Sequence, residues 1–82
     1  MTHRILVADD ESGIRQVLKE CLHGRFEVTL AEDGLEARQR IEAHEFDIII
    51  LDIHMPGMSG LELYEWMEEH KPEAAARTFF IT

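Results

Sequence analysis

Residues 48–51 read Ile-Ile-Ile-Leu, a run in which both alternating sets, Ile48 with Ile50 and Ile49 with Leu51, are apolar. A strand wetted on one face would alternate with polar residues. A run apolar on both faces therefore predicts a central strand covered by helices on each side. The run ends at Asp52 and passes into a turn sequence, His54-Met55-Pro56-Gly57. A second run, Ile5-Leu6-Val7-Ala8, also ends in acids, Asp9 and Asp10. Ligands in open α/β sheets bind outside the carboxyl ends of the strands, so two strands that terminate in carboxylates predict one shared acidic pocket.

The rest of the chain alternates strand and helix signals, the order expected of βαβ units around a parallel sheet. Residues 4 to 8 form the first predicted strand. Ile14, Val17, Leu18, Cys21 and Leu22 then line one apolar face of a helix from about Ser12 to His23, with Gly24 as its stop. Phe26, Val28 and Leu30 alternate with polar neighbours, which predicts a half-buried strand near the sheet edge. After the Asp33-Gly34 turn, Leu35, Ala37 and Ile41 mark a weakly amphipathic second helix. A third helix is expected from Ser59 or Gly60 to His70, presenting Leu61, Leu63, Tyr64 and Met67, and Lys71-Pro72 ends it. Glu73 to Arg77 reads as a short Ala-rich connection, and Thr78 to Thr82 as a fourth strand.

With 82 residues the chain makes one small domain, too short for two cores. Eight Lys and Arg against seventeen Asp and Glu give a net charge of −9, which argues against direct nucleic-acid binding, since that needs clustered cations to neutralise phosphates. No apolar stretch approaches the length of a membrane span, and no signal peptide is apparent, so no membrane partner is expected. The single cysteine, Cys21, falls on the apolar helix face and is expected to be a buried free thiol, consistent with a cytoplasmic location.

Adjacent strands lie about 4.8 Å apart, so Asp9, Asp10 and Asp52 are expected within a few ångströms of one another if the first and third strands are neighbours. Like charges at that range repel, and a divalent cation resolves the conflict. Mg²⁺ suits a site of two or three carboxylates at a surface crevice, because it keeps several waters and takes phosphate oxygens as ligands. A carboxylate is also a nucleophile toward phosphorus, and Asp52 is the candidate for an aspartyl-phosphate. Thr82, at the end of the fourth strand, is placed to hydrogen-bond such a phosphoryl group. Zinc spacing of Cys and His is absent, and so are the Gly-rich phosphate loops of nucleotide-binding proteins.

Three segments together, Val7-Ala8-Asp9-Asp10-Glu11, the stretch Asp47 to Gly60 (D-I-I-I-L-D-I-H-M-P-G-M-S-G) and Phe80-Ile81-Thr82, closely resemble the receiver domain of two-component response regulators. The resemblance implies a flavodoxin-like, doubly wound parallel sheet in which the strand order 2-1-3-4 sets the pocket between strands one and three. It implies Asp52 as phosphoacceptor; Asp9, Asp10, Asp52 and the backbone carbonyl of His54 as Mg²⁺ ligands; and Thr82 as the switch hydroxyl. Met55, Pro56, Gly57 and Gly60 match the loop after the phosphorylation site. The implied partner is a histidine kinase or phosphotransfer protein, and the implied role is signalling rather than enzymatic.

A complete receiver carries a further helix, a fifth strand and a fifth helix, so the resemblance makes residues 1–82 a single receiver domain truncated after its fourth strand. The Lys that the family places at the end of strand five has no counterpart; Lys71 lies at the far end of a helix. Arg38 stands where the family's second helix usually carries an apolar residue, and is expected to bury its stem and expose its head. An uncovered fourth strand predicts self-association through the edge at 78–82. The alternative to a working phosphoacceptor is thus a phosphorylation-impaired fragment that acts as an interaction module. A dehalogenase-type hydrolase would need an Asp two residues after its nucleophile, where this chain has His54.

Overall fold

A computed structural model describes residues 3–81, and in it four parallel strands form one sheet in the order β2-β1-β3-β4. The strands are β1 (His3–Ala8), β2 (Phe26–Ala31), β3 (Ile48–Asp52) and β4 (Thr78–Ile81). Helices α1 (Ser12–Leu22), α2 (Gly34–Ala43) and α3 (Gly60–His70) connect them, and a one-turn helix, α4 (Pro72–Ala75), occupies the expected irregular connection before β4. Both apolar runs are inner strands, as their composition requires: β1 pairs Ile5 with Ile48 and Ala8 with Leu51, and β2 is an edge. This register sets Asp9, one residue past β1, level with Asp52.

The side-chain period of two divides the core between the sheet faces. Leu6, Ala8, Ala31, Ile49 and Leu51 point to the side covered by α2 and α3, where they meet Ala37, Ile41, Leu63 and Met67 in one buried cluster. Leu63 and Met67 are fully buried, and each would cost about 2–5 kcal/mol on truncation to Ala. The two helices are well terminated. Asp33 accepts from the Glu36 N–H at 2.8 Å ahead of α2. Ser59 and Glu62 form a reciprocal capping box at the start of α3. Leu35 departs from expectation: it is 51% exposed, and Gly34, Ala37 and Ile41 are the buried residues of α2. Arg38 behaves as expected, its guanidinium lying 4.7 Å from the centroid of the Trp66 ring and beside Glu42.

The opposite face is thinner. Helix α1 packs on β1 and β2, over Ile5 and Val7, yet none of its own residues is buried. Val17 is 59% exposed and Ile14 38%, and Cys21 is an exposed thiol, which corrects the expectation that it is buried. The apolar periodicity that marks the helix is real, but only Leu18, Leu22 and the stem of Arg15 are partly covered. Beyond α1 the same face of the sheet continues to Phe79, which pairs with Ile50 and is 61% exposed.

Candidate functional site

Asp9, Asp10 and Asp52 each bring one carboxylate oxygen to within 4.8 Å of the others at the carboxyl end of the sheet. The three are held differently. Asp9 is 2% exposed, Asp52 is half-buried and Asp10 is exposed. Asp9 Oδ1 accepts from the Glu11 N–H at 2.8 Å, and Asp52 Oδ1 accepts from the His54 N–H at 3.1 Å. These turn hydrogen bonds fix one oxygen of each carboxylate and leave the other for a ligand.

The electrostatics match the crowding. Burial raises the Asp9 carboxyl above its ordinary value of 3.8, and the negative charges of Asp52 and Asp10 add to the rise. The Glu11 N–H and the Arg15 guanidinium act in the opposite direction and do not cancel it. Two carboxylates 4.8 Å apart repel by about 3 kcal/mol at an effective dielectric near 20. The fold thus holds three hard oxygen donors in a state that a small divalent cation relieves, and the donor set suits Mg²⁺.

The loop after β3 closes this pocket through close backbone contacts. The Ile53 N–H donates to the Ile81 carbonyl at 3.2 Å, and the Gly60 N–H returns to the Ile53 carbonyl at 2.9 Å. A Cβ at Gly60 would overlap the Asp52 carbonyl oxygen, and one at Gly34 would overlap the Met58 carbonyl, so both glycines are required by backbone approach. Met55 is buried beneath the loop, and Gly57 turns it at φ 79°. Pro56 and the His54 side chain are exposed. Thr82, expected to supply the switch hydroxyl, lies outside the described residues. A cleft of about 240 Å³ at the other end of the sheet, lined by Ile41, Phe46, Ile49, Lys71 and Arg77 among others, contains none of these acids.

A family model described as the response regulator receiver domain matches residues 5–82. The chain belongs to this family. The receiver domain is 38% identical over 81 residues to a protein-glutamate methylesterase/protein-glutamine glutaminase of Rhodospirillum rubrum, covering 96% of this chain and 22% of that protein. In structure it resembles the response regulator TrrA of Thermotoga maritima in complex with Mg²⁺-BeF, with TM-score 0.82 and 45% identity over 90% of this chain and 64% of that one. It also resembles a CheY-like receiver from Methanospirillum hungatei, with TM-score 0.87 and 30% identity, covering 98% of this chain and 63% of the other. The chain spans about a fifth to a quarter of the length of the first curated relatives and just under two thirds of the solved chains it resembles. The expected flavodoxin-like fold and strand order are those of the receiver, and no helix among its described residues is long and apolar enough to cross a membrane.

Sequence reasoning named the three acids and the loop, but missed Arg15. Its Nη1 donates to the Asp9 carbonyl at 2.6 Å, and Nη2 sits 3.8 Å from Glu32 Oε1. The available signal was its position: Arg15 follows Ile14 one turn into α1, close enough to the acidic pair to fold back on it.

Proposed function

We propose that this receiver domain is a cytoplasmic phosphoacceptor, with Asp52 taking a phosphoryl group from a histidine kinase or phosphotransfer protein. The observation that carries this reading is the gathering of Asp9, Asp10 and Asp52 within 4.8 Å at the ends of two adjacent inner strands. Asp52 Oδ1 accepts from the His54 N–H and has a second lone pair for a cation, which leaves Oδ2 to attack phosphorus. The phosphorus–nitrogen bond of the donor phosphohistidine breaks as the phosphorus–oxygen bond to Asp52 forms, and the imidazole keeps the released electron pair. Asp9, Asp10, Asp52 and the His54 carbonyl would hold Mg²⁺, whose charge offsets that of the transferring phosphoryl oxygens. Asp9 would supply the buried ligand and Asp10 the exposed one. Thr82 is the hydroxyl proposed to bind the phosphoryl group afterward.

Incubation with a small-molecule phosphodonor such as acetyl phosphate, with and without Mg²⁺, tests the reading. Wild type should take up label only with Mg²⁺, and Asp52→Asn should take up none. Equal labelling of the two proteins would reassign the acceptor.

A second reading, that the chain serves as a self-associating module, draws on the face around β4. Phe79, Val17 and Ile14 are 61%, 59% and 38% exposed on the face that carries α1. Exposed apolar side chains on one face favour association between copies.

A further inference from the structure

Arg15 is a cation placed beside a pocket built to attract cations. Electrostatics alone would remove it, since a fixed positive charge lowers the affinity of the acids for a metal. Its geometry points to another role. The side chain is 14% exposed, so its charge is largely withdrawn from water, and its shortest contact is to a backbone carbonyl, that of Asp9. Asp9 lies one residue past the last paired positions of β1; its N–H still reaches the Ala31 carbonyl at the end of β2, but among the described residues no backbone N–H donates to its own carbonyl. A buried carbonyl without a partner is destabilising, and a charged donor satisfies it better than a neutral one.

With Arg15 in place, Asp9 is held at three points. Its N–H donates to the Ala31 carbonyl at 3.1 Å, its Oδ1 accepts from Glu11, and its carbonyl accepts from Arg15. The carbonyl belongs to the Asp9–Asp10 peptide and the N–H to the peptide before it, so anchoring both restricts rotation about the Asp9 backbone and with it the plane of the Asp9–Asp10 peptide. That plane sets the direction in which the exposed Asp10 leaves the strand.

We propose that Arg15 is a positioning residue for the metal pocket, fixing the Asp9–Asp10 peptide through the Asp9 carbonyl so that both carboxylates face Asp52. The proposal rests on the Mg²⁺ pocket described above. The Glu32 contact is an accessory: its carboxylate is 77% exposed and 3.8 Å away, which steers the guanidinium without holding it.

The sign of one measurement separates positioning from simple charge. Mg²⁺ is titrated into the 82-residue chain, and the amide shifts of Asp10 and Glu11 and the carbonyl carbon shift of Asp9 are followed by NMR, with a urea melt of each variant alongside. Arg15→Met should weaken Mg²⁺ binding about tenfold and move the Asp9 carbonyl shift before any metal is added. Removal of a mere like charge would tighten binding instead, so unchanged or tighter binding in folded Arg15→Met overturns the proposal. Arg15→Lys, which keeps the charge and one donor, should recover part of the affinity. If Arg15→Met does not fold, Arg15→Ala takes its place and is read the same way: unchanged or tighter Mg²⁺ binding in the folded variant overturns the proposal. Glu32→Gln should stay within about twofold of wild type, and a loss equal to that of Arg15→Met would shift the role to the ion pair and overturn the carbonyl route. Failure of wild type itself to show a saturable Mg²⁺ response would instead remove the pocket reading, and this proposal with it.

Discussion

Asp9 is both the best-anchored acid of the pocket and the one whose ionisation the fold opposes. Its carboxyl is raised by burial and by two neighbouring negative charges, so the folded state keeps a proton on it to higher pH than the unfolded state does. The resulting contribution to stability is fully present below the unfolded value of 3.8 and is lost as pH rises through the higher folded value. Asp9→Asn retains an oxygen acceptor for the Glu11 N–H and escapes that loss. In urea melts with chelator, it should be more stable than wild type by about 1 kcal/mol at pH 7, with the gap closing below about pH 4. A gap independent of pH would assign the effect to packing. The acids were legible in the sequence because each follows an apolar run, and a strand must surface where its apolar residues stop. Arg15 was only faintly legible: its place one turn after the acidic pair was visible, but a backbone carbonyl leaves no trace in the sequence and a lone Arg in a helix ordinarily points to solvent.

The elements divide between those whose sequence pattern states their environment and those whose pattern misleads. Both inner strands and the start of α3 were readable, since two-sided apolarity has one simple physical solution and the helix begins at Gly60, one of its two expected starts. Helix α1 was readable as a helix and misread as buried: amphipathicity reports which face seeks cover, not whether anything covers it. The exposed Cys21, Val17 and Ile14 come from that gap. The one-turn α4 was missed because Glu73 to Arg77 offers no periodicity over so few residues. Glycine substitutions test how tightly the elements meet. Gly60→Ala forces a methyl against the backbone of Asp52 and Ile53, and should cost about 2 kcal/mol, or about 10 °C in melting temperature, while reducing Asp52 labelling. Gly13→Ala, in α1 with nothing within 4 Å of the added carbon, should instead stabilise by about 0.5–1 kcal/mol. Equal effects at the two sites would mean that the contact between α3 and β3 is looser than described.

At the scale of the whole molecule, α2 and α3 seal one face of the sheet, and among the described residues α1 packs on the other face against β1 and β2. Sedimentation velocity should show mass rising with protein concentration for wild type, and Phe79→Ser should hold the chain closer to monomer. A compact wild-type monomer at high concentration would remove the association reading while leaving the acidic pocket untouched. The strand order has a consequence in time. Asp9 and Asp52 are separated by 43 positions and meet only when β3 docks against β1, so no local segment can assemble the pocket in advance. The repulsion among the acids is then felt while the chain is closing its longest loop, and it acts as a brake on folding that dissolved salt should partly release.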